Sequence, residues 1–309
     1  MDKPLINVSL NPTYYCNFSC DFCYLTPEQL NDKTTLDLER LEELLMELSQ
    51  HRTIDQVDLY GGEVLLLSES YHKALRELLG AYGCDDISLI TNLSTVNSVA
   101  LDPTYILTVS YDFEAREKAD RVFNNLLTLP REFSILTLVS RAFLDTVTPD
   151  EYVKTFNLLT NMTVAELKPY SKNQANQQPV TNREFEQFVY AVLTHPDRQF
   201  HLENQTHLEQ VLEGTHNSFS DDHVYITPAG NFAVLEFDKD NKELFLELDS
   251  FEDYLTWCTI EQQRVVNNSV CGSCQFFGKC LSEHLREEHN LLDSCNGFHD
   301  LIVRWSETC

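Results

Sequence analysis

Three thiols stand together near the start of the chain, in Cys16-Asn17-Phe18-Ser19-Cys20-Asp21-Phe22-Cys23. An apolar, strand-like run at 5–10 precedes them, so a loop must present them. A structural zinc site wants four ligands, and three thiols do not close it. Three thiolates can hold three irons of a four-iron, four-sulfur cube and leave the fourth iron open to a ligand. A zinc knuckle, or three thiols with no metal, are the plainer alternatives.

A second group has a different character. Cys271-x-x-Cys274-x5-Cys280, followed by Cys295, offers four thiols, enough for zinc or for a fully ligated cube with no open iron. These seven are among ten cysteines in all, and clustering of this kind favours ligation over disulfides in a reducing compartment. Of the others, Cys84 reads as a small buried apolar residue, Cys309 as a tail residue and Cys258 as a packed cysteine on a helix beside Trp257.

Other polar residues fall where a ligand could meet them. Gly61-Gly62-Glu63 follows a strand: two glycines let backbone approach a ligand closely, and a glutamate accepts hydrogen bonds from an ammonium group. Thr91-Asn92 ends a third strand, Ser110 and Asp112 end a fourth, Arg141 lies just past the fifth and Lys168 ends the sixth. Polar groups at strand ends are fixed by the strand and exposed by the loop. Turn formation and strand-end capping are the alternative readings.

The elements that must position these residues follow from the apolar pattern. Strands are expected at 6–10, 54–60, 86–92, 105–112, 133–139 and 163–168. Helices are expected at 35–49 with Thr34 or Thr35 as N-cap, and at 68–81, 114–127 and 149–161. Strand and helix alternate roughly every 25–30 residues, which argues for βα units and a parallel sheet. Six units cannot close an eight-stranded barrel but can curl into a partial (β/α)6 barrel. The polar segment 172–180 reads as a linker or a loop on the substrate side. A helix at 182–193 and helical character around 208–212 follow. After residue 222 the texture changes to a hairpin at 224–237, a turn at 238–242, a strand at 243–248 and a helix at 251–266. The expected division is a partial barrel over 1–200 and a small hairpin, helix and metal module over 201–309.

The chain has 309 residues, with 49 Asp plus Glu against 22 Lys plus Arg, a formal net charge of −27. Such a field repels nucleic acid and favours the approach of a cationic substrate such as a basic peptide or an amino sugar. Neither a membrane span nor a signal peptide is evident, so a cytoplasmic location is expected.

The C-x-x-x-C-x-x-C spacing with Phe22 before the third cysteine resembles the signature of the radical SAM superfamily, and Gly61-Gly62-Glu63 resembles its GGE element. The resemblance implies an enzyme whose Cys16, Cys20 and Cys23 hold a 4Fe-4S cluster that binds S-adenosyl-L-methionine and cleaves it reductively. Glu63 then holds the cofactor's amino group, while Thr91, Asn92, Ser110 and Asp112 contact its ribose and carboxylate. The hairpin at 226–230, the helix after it and the second cysteine group resemble the SPASM module of radical SAM enzymes that modify peptides. There Cys271, Cys274, Cys280 and Cys295 would ligate an auxiliary 4Fe-4S cluster, with zinc as the alternative. The positions where a second, substrate-side auxiliary cluster would find cysteines hold Leu235 and His284, so that cluster is expected to be absent. A lone cysteine, here Cys258, donates a hydrogen atom to the substrate radical in some related epimerases.

The activity so implied is abstraction of a hydrogen atom from a ribosomally made peptide, ending in a cross-link, a thioether or an epimerised residue. Modification of a small molecule such as an amino sugar is the runner-up. A flavodoxin- or ferredoxin-type reductant would supply the electron. The first strand begins almost at residue 1, so leader recognition would fall to the barrel, the module or a separate protein. An iron–sulfur electron carrier or a zinc-stabilised binding module would explain the cysteines but not the GGE element or the βα alternation. An RNA-modifying enzyme is disfavoured by charge.

Overall fold

The computed structural model describes residues 3–169, 180–219, 221–235, 245–281 and 298–308. In β1 (Leu5–Leu10), Ile6, Val8 and Leu10 alternate into the core and leave Asn7 and Ser9 to the opposite face. After the cysteine loop come α1 (Pro27–Asn31) and α2 (Leu38–His51), which buries Leu41, Leu44, Leu45 and Leu48 at helical spacing. Its N-cap is Asp37, whose carboxylate accepts the Glu39 amide, and not Thr34 or Thr35. Those threonines serve the loop: Thr13 donates its hydroxyl to the Thr34 carbonyl and bridges to Thr35.

The chain continues through β2 (Thr53–Leu59), α3 (Glu69–Ala81), β3 (Ile87–Thr91), β4 (Ile106–Ser110), α4 (Ala119–Thr128), β5 (Phe133–Val139), α5 (Arg141–Thr146), α6 (Pro149–Phe156) and β6 (Met162–Pro169). The helix expected at 114–127 starts late. Residues 113–115 form a single tight turn, and Lys118 takes a left-handed conformation (φ 54°) before α4 begins. That turn carries Phe113 into an aromatic core with Phe143, Tyr152 and Phe156, where the last two ring centroids lie 4.2 Å apart. Next come α7 (Asn182–Leu193), β7 (His201–Leu202), α8 (Glu203–Glu213), β8 (His223–Ile226), β9 (Phe232–Leu235), β10 (Phe245–Leu248), α9 (Phe251–Val266) and α10 (His299–Ser306).

Strands β1 to β6 lie side by side in chain order, each parallel to the next, which is the partial (β/α)6 barrel read from the sequence. The hairpin after residue 222 does not stand apart from it. β8 pairs in parallel with β1, β9 and β10 follow antiparallel, and the sheet runs β10-β9-β8-β1-β2-β3-β4-β5-β6-β7. The sheet is therefore continuous across the boundary expected near residue 200. The segment 172–179, the turn at 238–242, Cys295, His284 and Cys309 lie outside the described residues. Among those described, no helix is long and apolar enough to cross a membrane.

Candidate active site

The cysteine loop is pinned from three sides. Leu10 ends β1, and the Asn11 amide directly after it donates to the Ile226 carbonyl (2.9 Å). The Cys16 amide donates to the Leu30 carbonyl of α1 (3.1 Å). The end of β2 then closes over the loop: the Gly62 amide donates to Thr13 O (2.9 Å) and the Glu63 amide to Tyr15 O (2.8 Å). A Cβ on Gly62 would lie 2.2 Å from the Tyr15 carbonyl oxygen and 2.3 Å from that of Tyr14. Gly61, at φ 154°, would meet Thr13 O at 2.4 Å. The two glycines therefore let backbone pack on the cysteine loop itself, a closer use than the ligand approach read from the sequence.

Each sulfur receives a backbone amide. Phe18 N donates to Cys16 Sγ (3.4 Å), the Glu117 amide to Cys20 and the Leu25 amide to Cys23. Asn92 Nδ2 adds a longer contact to Cys16 Sγ at 3.8 Å. Burial pushes the Cys16 thiol up to about 11, with the Phe18 amide pulling it back, and burial also raises Cys20 and Cys23. The Arg116 guanidinium acts in the opposite sense on Cys20 and Cys23. Amide donors and a buried cation favour thiolate over thiol, so the donor set suits an anionic iron–sulfur cluster. Among the described residues, no three His, Cys, Asp or Glu side chains converge on a position for a single metal ion.

Glu63 is 1% exposed, and its carboxylate is held from within the protein. Oε1 accepts from Thr91 Oγ1 (2.6 Å) and the Leu65 amide (2.9 Å), and Oε2 accepts from the Asn92 amide (2.7 Å). Burial raises this carboxyl, and those donors oppose the rise. The residue thus ties the end of β2 to the end of β3. Asn92 then reaches the loop, donating to Asn17 Oδ1 at 3.0 Å.

Asp112, also 1% exposed, accepts the Leu138 amide (2.5 Å) and grips Arg116 at 2.5 Å from Nη2 and 2.6 Å from Nε. The guanidinium lies 5.3 Å from the centroid of the Phe22 ring. Sequence reasoning overlooked Arg116. The available signal was an Asp112–Arg116 pair four residues apart, directly after a strand in a chain poor in cations.

A cavity of about 380 Å³ opens at the C-terminal ends of the strands. Cys16, Cys20, Cys23, Phe22, Gly61, Gly62, Thr91, Asn92, Ser110 and Lys168 line it, together with Arg116. Glu63 and Asp112 are not among the lining residues; they brace those that are. Arg141 does not line it either: its guanidinium engages both oxygens of Glu184 at 2.8 Å. On the other side the lining includes Ser9, Asp58, Tyr60, His223, Tyr225 and Leu235, brought together because β8 and β2 flank β1. Burial pushes the hydroxyls of Tyr24 and Tyr60 well up, so these two phenols stay protonated. The sequence offered a hint in the polar alternation of Asn7, Ser9 and Asn11, but no way to place His223 beside it.

The described cysteines of the second group, Cys271, Cys274 and Cys280, do not line this cavity. Cys271 and Cys280 are buried and Cys274 is half-buried, at the end of α9. Cys274 Sγ accepts the Phe276 amide at 3.4 Å, and Ser218 Oγ donates to the Cys280 carbonyl at 2.8 Å. Cys258 is on the buried face of α9 and is not among the cavity's lining residues, interacting instead with the Tyr254 hydroxyl.

Residues 10–164 match the family model described as the Radical SAM superfamily. The putative peptide biosynthesis protein YydG of Bacillus subtilis is 34% identical over 85 residues, covering 28% of this chain and 26% of that protein. The curated relatives are matched over about a quarter of their own length, 27% and 26%. Among solved structures, native anSMEcpe with bound AdoMet and Kp18Cys peptide superposes with a TM-score of 0.72 at 14% identity, covering 99% of this chain and 98% of that one. Streptococcus suis SuiB bound to precursor peptide SuiA gives 0.60 at 11% identity, covering 91% and 71%. At such identities the likeness is one of fold.

Proposed function

The chain belongs to the radical SAM superfamily, and from that premise we propose that it modifies a ribosomally synthesised peptide by cross-link, thioether or epimerisation. The observation that carries the reading is the convergence of three amide-supported thiols, a buried arginine and the polar ends of β3 and β4 on one cavity. When bound, the cluster and S-adenosylmethionine supply one-electron cleavage of a sulfonium bond and abstraction of a hydrogen atom from the substrate.

The chain's own residues bind and orient. Cys16, Cys20 and Cys23 would hold the three irons. The backbone at Gly61 and Gly62, with Thr91, Asn92 and Ser110, would take the cofactor's amino acid and ribose groups. Glu63 and Asp112 would act one layer back, by fixing Thr91, Asn92 and Arg116. Walls of this kind would limit the access of water and oxygen and fix the geometry of approach.

Support for a peptide comes from the descriptions of YydG, anSMEcpe and SuiB given above. A small molecule such as an amino sugar is the second reading, favoured by the charge of −27. A cytoplasmic address, a flavodoxin- or ferredoxin-type reductant and a separate leader-recognition protein belong to the same proposal. So do an auxiliary cluster on Cys271, Cys274, Cys280 and Cys295, and a functional division between 1–200 and 201–309. Cys258, on the buried face of α9 and not among the cavity's lining residues, has the weakest of the proposed roles, that of hydrogen-atom donor.

The test is anaerobic reconstitution followed by addition of S-adenosylmethionine and dithionite. Formation of 5′-deoxyadenosine above a Cys16→Ala control is expected, and its absence sinks the reading. Peptide modification is then read by mass shift or by deuterium incorporation from D2O, using peptides encoded beside the gene.

A further inference from the structure

One acidic and two basic side chains line the cavity, and they differ in how they are compensated. Arg116 is matched by Asp112 at 2.5 Å, and Lys168 by Glu166 at 3.0 Å. Asp58, half-buried on β2, has among the described residues only a neutral partner: Gln56 Nε2 donates to its Oδ1 at 2.7 Å. Among the described residues, one wall of the cavity therefore carries a carboxylate with no cationic partner.

The sheet places that charge away from the cofactor's half. Asp58 is in register with Ser9 of β1, and Ser9 is in register with Tyr225 of β8. Ser9 Oγ is 2.8 Å from His223 Nε2. The Tyr60 and Tyr225 rings stand edge to face at 6.4 Å, and Leu235 completes the lining on β9. The thiols, Thr91, Asn92 and Ser110 belong to the loop and to the β3 and β4 ends. A carboxylate and two tyrosine rings lining one wall have the make-up of a cation site, with ion pairing to the one and cation–π contact to the others. A net charge of −27 adds long-range attraction for the same class of ligand.

We propose that the β8–β1–β2 end of the cavity is the substrate subsite and that it takes a protonated amine, with Asp58 as counter-ion and Tyr60 and Tyr225 as walls. The inference rests on the reading of the other half as the cofactor's place. In a peptide the amine is either a lysine side chain or the chain's own amino terminus, and both present the same ammonium group.

The test is isothermal titration of the full-length, anaerobically reconstituted protein loaded with S-adenosylmethionine. Three probes are used: acetyl-Gly-Gly-Lys-Gly-Gly-amide, the same peptide with norleucine for lysine, and pentaglycine amide with a free amino terminus. At least one amine-bearing probe is expected to bind about tenfold or more tighter than the norleucine peptide, the scale of a charge-assisted hydrogen bond. Which of the two gains identifies the source of the amine. In Asp58→Asn that advantage is expected to disappear.

Equal binding of all three probes, no binding of either amine, or an advantage that survives Asp58→Asn overturns the proposal. The norleucine comparison leaves the protein untouched, so it stands even where the variant folds poorly. Iron content and S-adenosylmethionine affinity on the same samples report separately on the cofactor half. Their failure with the amine preference intact overturns the radical-enzyme reading and not the subsite.

Discussion

The two cysteine groups set the same side chain in different surroundings. In the loop after β1, all three sulfurs face a cavity, each takes a backbone amide, and a buried guanidinium offsets their charge. At the end of α9, Cys271 and Cys280 are buried, and among the described residues none of Cys271, Cys274 and Cys280 lines the cavity. A site with three ligands facing space can accept a fourth from outside. A set of four closed off by its own chain can carry electrons or staple the fold. The difference lies in what surrounds the thiols more than in their number.

Removing one ligand from each group gives the sharpest test. Cys16→Ala should abolish 5′-deoxyadenosine formation and lower iron from about eight to about four per chain, by colorimetric iron and sulfide analysis. Cys271→Ser should lower iron by a similar amount but show itself chiefly as a reduced melting temperature. A Cys271→Ser protein that cannot bind S-adenosylmethionine by equilibrium dialysis would erase the distinction between the groups. A wild-type count near twelve would mean that Leu235 and His284 do not mark a missing cluster.

The next effect is at the buried pair. Arg116→Gln strands Asp112 in the core, and losses of about 3–5 kcal/mol follow when one partner of a buried ion pair is removed. Arg116→Met combined with Asp112→Asn should recover part of that in urea unfolding of the apo protein. If the double variant is no more stable than the single one, the pair is not coupled. Gly62→Ala comes next: a methyl 2.2 Å from the Tyr15 carbonyl forces the loop to shift. A loss of about 1–3 kcal/mol and poorer iron uptake are expected, whereas full uptake would show that the loop adapts.

The smallest effect lies at a carboxylate that does not line the cavity. Glu184 is held down to about 2 by the Thr181 amide first and then by Arg141. A carboxyl depressed in the folded state adds stability that is present above its ordinary value of 4.5 and lost as pH falls through 4.5 toward 2. Glu184→Gln should flatten acid unfolding in that window, followed by circular dichroism; the residue's exposure keeps the change small.

The six βα units were legible because apolar periodicity and strand spacing are local properties, and strands β2 to β6 appear close to their expected bounds. The loop thiols and the polar strand ends were legible for the same reason: their spacing and their place after each strand can be counted. Arg116 was not, because its place follows from the tight turn at 113–115, which opens with a left-handed Phe113 (φ 53°), and from its approach to Phe22 and Asp112. Nor was the role of Glu63, which depends on how closely the end of β2 approaches that of β3.

By itself, then, the sequence determined which residue types sit at which strand ends, and with them the chemistry of three thiols beside a glycine-rich turn. Tertiary structure alone decided that β8 docks on β1, setting Asp58, His223 and Tyr225 around one space and turning an expected separate hairpin into a cavity wall. Pairing of strands more than two hundred residues apart follows from burial and hydrogen bonding across the whole sheet, and no local pattern encodes it.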